Sequence, residues 1–170
     1  MYSLNAPVPS AVAALASDVA ADLPAARERP RGSHTLGVKR LGTGDHERYA
    51  RLEARAREAL AGAPAVAARV ADVAVFEDAP IGSAPVVYLA VESPGLIGIH
   101  ERLCEAFDPI DGIEGDDYTP HVTIARGGSL EAARAVADAA SLEPIEWTID
   151  ELVFWDAERE QSISRIALPA

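Results

Sequence analysis

The chain has 170 residues, 49 % of them apolar and only 5 % aromatic, which suits one domain, or one bilobed domain, with a sizeable core and excludes a disordered tail. Acidic residues outnumber basic ones 27 to 15, a formal charge of −12, and this argues against broad, non-specific nucleic-acid binding. One cysteine, Cys104, excludes an internal disulfide, and no apolar run is long enough to span a membrane.

Tyr2 to Val8 is short, partly apolar and closed by Pro9, which predicts a strand. Ser10 is placed to cap a helix carrying Val12, Leu15, Val19 and Leu23, ended by Pro24. Asp18 and Asp22 make this segment an amphipathic helix rather than a signal peptide, and with the lone cysteine they point to the cytoplasm. Arg27 to Gly32 reads as a loop and His34 to Leu41 as a strand ended by Gly42. Thr43 or Asp45 then caps a long helix to about Leu60. Val66 to Phe76 and Pro85 to Glu92 read as strands joined by a Pro/Gly loop.

The second half repeats this order. Gly95 to Phe107 predicts a helix, Asp108 to Asp117 a solvated acidic loop, and Tyr118 to Arg126 a strand followed by Gly127 and Gly128. Ser129 caps a helix through about Ala140, and Trp147 to Trp155 and Ser162 to Leu168 are the last strands. The expected fold is therefore α+β: one bilobed domain over 1–170, with an internal pseudo-repeat dividing near 84/85. Each lobe would hold a small, mostly antiparallel sheet with two outer helices, and a cleft would lie between the lobes. Lys39 is the only lysine. With abundant alanine and the acidic excess, the composition resembles that of a protein from a salt-loving archaeon, whose surface stays hydrated when salt screens its charges, and is also that of an acidic cytosolic protein from a GC-rich genome.

The most informative segment is Tyr118-Thr119-Pro120-His121-Val122-Thr123-Ile124-Ala125-Arg126. On a strand His121 and Thr123 share one face, and Val122 and Ile124 pack on the other. An imidazole beside a hydroxyl suits a phosphate: the hydroxyl bonds a phosphoryl oxygen and the histidine moves a proton near neutral pH. The same residue types could also satisfy each other in a β-core. A second histidine, in His34-Thr35-Leu36-Gly37-Val38-Lys39, occupies the matching strand of the first half. Each histidine has a basic residue five places on, Lys39 and Arg126. Two histidines placed by a pseudo-twofold can serve one phosphodiester, one as base and one as acid, without a metal.

With this doubled pattern the chain resembles the two-histidine phosphoesterase superfamily. Pro120 to Arg126 is similar to the second motif of its 2′-5′ RNA ligase and cyclic phosphodiesterase branch. The resemblance implies a bilobed α+β fold and a cofactor-free, ATP-independent reaction on 2′,3′-cyclic phosphates or 2′-5′ linkages. It implies His34 and His121 as the acid/base pair, Thr123 as phosphate anchor, and RNA ends or small nucleotides as partners of a monomer. The first motif departs from the pattern: Leu36 stands where the family has Thr or Ser, and Thr35 comes one place early. A bulge at Gly37 would re-aim Thr35; otherwise Lys39 or Arg40 supplies the phosphate contact. This departure keeps open a weakened relative that binds RNA ends without turnover, or a phosphodiesterase for a small nucleotide.

Arg27, Arg29, Arg31, Lys39 and Arg40 form a local positive patch beside His34, suited to drawing phosphate in. Tyr118 is a candidate for stacking on a base. His46 and His100 lack partner motifs and read as structural or surface residues, and Cys104 reads as a buried, inert helix residue.

Overall fold

The structure, a computed structural model, describes residues 1–170. Its strands are β1 (Tyr2–Ala6), β2 (Arg27–Glu28), β3 (Leu36–Gly42), β4 (Val66–Phe76), β5 (Val86–Glu92), β6 (His121–Arg126), β7 (Ile145–Ile149), β8 (Glu151–Asp156) and β9 (Gln161–Ala167). The helices are α1 (Ser10–Ala20), α2 (His46–Ala59), α3 (Pro94–Ala106) and α4 (Leu130–Ala139). Asp45, Ser93 and Ser129 cap α2, α3 and α4 by accepting from Arg48 N, Leu96 N and Ala132 N. Ser10 caps nothing: α1 starts on it, with Pro9 before it. No helix is long and apolar enough to cross a membrane.

The fold is α+β, as the element order predicts. All pairings are antiparallel, in one sheet of order β7-β4-β5-β6-β3-β1-β8-β9, with β2 on β6. The segment Trp147 to Trp155 proves to be two strands, because its two ends have different partners. β7 pairs with β4 and β8 pairs with β1, at opposite sides of the sheet, yet only Asp150 separates them. One residue advances the chain by about 3.8 Å, so the sheet must curl until these sides meet. Leu168 N donates to Asp150 O (2.7 Å) and Ala65 N to Pro169 O (2.8 Å), tying the rim together.

Strands from the two chain halves interleave: β4 joins β5, β6 and β7, while β8 and β9 join β1 and β3. The two groups of strands meet at β3 and β6 through one residue pair, Leu36 and Val122. Both side chains are fully buried and belong, with Val38, Leu89 and Ile124, to a single core cluster. Helix α1 packs on β6 and α3 on β3 and β4, so helices cross the junction that the strands barely span. Residues on either side of Leu36 and Val122 face away from this core, into the curl.

Candidate active site

His121 opens β6. Its Nδ1 lies 2.7 Å from Thr119 O; a carbonyl only accepts, so Nδ1 carries the proton and Nε2 is left with a free lone pair. Phe76 and Tyr88 flank the ring edge-to-face at 5.2 and 5.4 Å and stack on each other at 4.0 Å. Thr123 shares this face, and Tyr88 is its cross-strand neighbour on β5. Neither aromatic stands out in the sequence; the signal is only visible once Tyr88 is paired with Thr123.

Cations gather here. Short β2 lays the arginine-rich segment on β6, pairing Arg27 with Arg126, and Arg29 N donates to Ile124 O (2.8 Å). Arg126 donates to Ile81 O (3.0 Å). Burial opposes the charge of Arg126, and so do Arg29 and Arg40 close by. No carboxylate forms an ion pair with Arg29, Arg40 or Arg126. In a chain of charge −12, Arg126 thus lies near two other guanidinium groups with no acid paired to any of them, a local excess of positive charge. Burial, followed by Arg126 and Arg40, lowers the His121 pKa, although the Thr119 carbonyl pulls the other way. The shift favours the neutral ring, the form in which an imidazole can accept a proton.

The first-half residues fall differently. The strand expected from His34 begins at Leu36, leaving His34 and Thr35 ahead of it. His34 is buried, and no protein atom hydrogen-bonds either ring nitrogen. Its charged neighbours are Glu28 and Arg29; Arg29 also acts on Arg126, while the charges acting on His121 are Arg126 and Arg40. Thr35 is half-buried and lies across the strand junction from Thr123, by the register of Leu36 on Val122. A bulge does occur, but at Val38, which is skipped between the pairs Asn5–Gly37 and Leu4–Lys39. It turns Lys39 inward and leaves Arg40 half-buried beyond it.

Lys39 corrects the expectation of a phosphate contact. Its Nζ donates to Glu114 Oε2 (2.6 Å), Arg40 O (2.9 Å) and Asp108 O (3.1 Å), and its side chain is fully buried. All three protons are used, with none left for a ligand. The acidic loop is likewise not wholly solvated, since Glu114 is its buried anchor. Tyr118 is also committed: its ring stacks on His100 at 3.8 Å and its hydroxyl donates to Gly37 O (2.9 Å). One of its faces is thereby closed to a base. His100 itself is buried, donating from Nδ1 to Val38 O (2.7 Å) and accepting at Nε2 from Gly115 N (2.9 Å). No three His, Cys, Asp or Glu side chains are gathered closely enough to hold a metal ion.

A family model described as the 2′-5′ RNA ligase superfamily matches residues 40–161, well over half of the chain. The chain belongs to this superfamily. The match includes His121 and Thr123 but begins downstream of His34 and Thr35. Among solved structures, TT0787 of Thermus thermophilus is similar at TM-score 0.70 and 16 % identity, over 98 % of this chain and 97 % of that one. E. coli LigT complexed with 3′-AMP is similar at 0.67 and 17 %, over 99 % and 98 %. Usb1 of Kluyveromyces marxianus follows at 0.55 and 13 %, over 99 % and 97 %. At these identities the likeness shows a common fold. A comparison with curated proteins finds no match.

Burial lowers the pKa of three histidines here: His34 (with Arg29), His100 and His121. Below the ordinary value of 6.5, the unfolded chain takes up protons that the fold refuses. Stability should be full above that pH and decline as the pH falls from 6.5 through the lower folded-state values. Urea midpoints at pH 7.5 and 5.5 check this; an equal or higher midpoint at 5.5 contradicts it.

Proposed function

We propose that this protein is a phosphoesterase acting on 2′,3′-cyclic phosphodiesters or 2′-5′ linkages, in RNA ends or small nucleotides. The observation that carries this is His121, its tautomer fixed by Thr119 and its pKa lowered by burial, beside Arg126 and Arg40, neither of which is in an ion pair. Membership of the superfamily supports the reaction class, and the 3′-AMP complex of LigT supports a nucleotide-sized ligand.

Arg40 and Arg126 hold the phosphoryl oxygens and offset the charge that builds on them in the transition state. Thr123 donates a hydrogen bond to the same group. His121 Nε2 takes a proton from the attacking water. This chemistry calls for neither a metal nor an organic cofactor. With an overall charge of −12, only a short end or a nucleotide is drawn in by this local patch, not a long polynucleotide. The protein works as a monomer in the cytoplasm of a salt-adapted cell.

Incubation at high salt with a 2′,3′-cyclic mononucleotide, and separately with a cyclic-phosphate-ended oligonucleotide, tests the proposal. A phosphate monoester product is expected from at least one. Binding of the oligonucleotide end without any product would identify the non-catalytic relative instead, and neither binding nor turnover would end the proposal.

A further inference from the structure

The two motif strands can be aligned by their own hydrogen-bond register. Against β1, strand β3 pairs Leu36 with Ala6 and Gly37 with Asn5, skips Val38, then pairs Lys39 with Leu4 and Arg40 with Ser3. Against β5, strand β6 pairs Val122 with Leu89 and Thr123 with Tyr88, skips Ile124, then pairs Ala125 with Val87 and Arg126 with Val86. The same count holds on both sides, with the bulge in the same place. Leu36 and Val122, which pair with each other, lie on the pseudo-twofold axis.

Burial keeps step with this alignment. In 34–40 and in 120–126 the first, third, fifth and sixth positions are buried and the others are not. Arg40 is thus the twin of Arg126, and Gly37 the twin of Thr123. Thr35, not His34, is the twin of His121. His34 matches Pro120, a buried position behind the site.

We propose that this site carries its proton chemistry on a single imidazole, His121, with the Thr35 hydroxyl in the twin position as a donor to a phosphoryl oxygen. It rests on the phosphoesterase reading above and replaces a paired-histidine mechanism with a one-sided one. In an in-line displacement the nucleophile and the leaving oxygen lie on opposite sides of phosphorus. One imidazole reaches one of them. His121 takes the proton of water as the water–phosphorus bond forms. The bond from phosphorus to one ribose oxygen breaks, and that oxygen leaves as an alkoxide steadied by arginine. Arginine does not give up its proton, so the alkoxide takes one from solvent and His121 returns its own.

Two consequences separate this from a two-histidine site. The pH profile of turnover shows one ionisation, a fall on the acid side, rather than a bell. Turnover also depends steeply on the leaving group, so an aryl phosphodiester reacts much faster than a ribose one.

The wild-type protein, ¹⁵N-labelled in its histidines, provides a readout free of mutation. Added 3′-AMP should shift the His121 ring signals and leave those of His34 in place. In turnover, His34→Gln should match wild type while the circular dichroism spectrum confirms its fold. Thr35→His with Gly37→Thr restores the doubled motif. A Cβ at Gly37 meets only Asn5 Oδ1, at 4.0 Å, so the added carbon is not crowded. This variant should raise turnover by roughly 10-fold or more and turn the pH profile into a bell, since a positioned acid contributes on the order of 10²-fold. A His34 signal that shifts together with His121, or a folded His34→Gln that loses as much activity as His121→Ala, overturns the inference and leaves the phosphoesterase proposal standing. If neither histidine responds to 3′-AMP and no substrate turns over, both fall.

Discussion

His121→Ala is expected to lower turnover of a 2′,3′-cyclic nucleotide by roughly 10² or more, the usual contribution of a positioned general base. The ring is held for this task. Thr119 O fixes the tautomer, Phe76 and Tyr88 restrict the plane, and burial beside Arg126 and Arg40 lowers its pKa. Alanine removes the base and leaves the arginines in place. The loss should therefore fall on kcat, with KM nearly unchanged. Thr123→Ala removes one phosphate hydrogen bond and no proton carrier, so its cost should be smaller. The acid limb of the wild-type profile should lie below the ordinary histidine value of 6.5, because the folded-state pKa is lowered. Full activity in His121→Ala would sink the proposed function.

The second-half motif is legible in the sequence because its alternation is unambiguous: Val122 and Ile124 can only face a core, which leaves His121 and Thr123 together. The first half defeats the same logic by one residue. His34-Thr35-Leu36 admits two parities, and the choice depends on which residue first pairs with β6. The structure selects Leu36, which is fully buried against Val122. A threonine at position 36 would then put a hydroxyl into the core rather than rebuild a phosphate ligand; position 37 is where the hydroxyl is missing. The Val38 bulge is no better marked, since Gly37 hints at irregularity but does not say which residue is skipped. Lys39 misleads for another reason. A lysine followed by an arginine and five places after a histidine reads as a free cation, and its counter-ion lies far along the chain, in a loop whose other acids do face solvent. Such a pairing is fixed by tertiary packing and has no local signature. The element order, by contrast, is legible nearly throughout, because apolar periodicity and Gly/Pro breaks are local.

Glu114→Ala should cost about 3–5 kcal/mol, the range for breaking a buried ion pair by removing one partner. Glu114 and Lys39 are buried and 2.6 Å apart. Burial pushes the Glu114 pKa up, but the bonds from Lys39, Arg40 N and Ile110 N outweigh it and hold the carboxylate ionised. Its loss strands an ammonium in the core, left with two carbonyl partners, and orphans two backbone N–H groups. Lys39→Met should cost less, because the surviving carboxyl keeps both N–H donors and can take a proton. The double variant should not return to wild type, since no apolar side chain satisfies Arg40 N and Ile110 N. The pair's contribution should be full above the ordinary carboxyl value of 4.5 and lost as the pH falls through the lower folded-state value. High salt should change it little, as buried pairs are weakly screened. Denaturant unfolding at high and low salt measures each cost. A Glu114→Ala cost that vanishes at high salt would place the pair at the surface. The function at stake is positional: Glu114 accepts from the backbone N of Arg40 just past the bulge, and so helps to fix the arginine whose charge acts on His121.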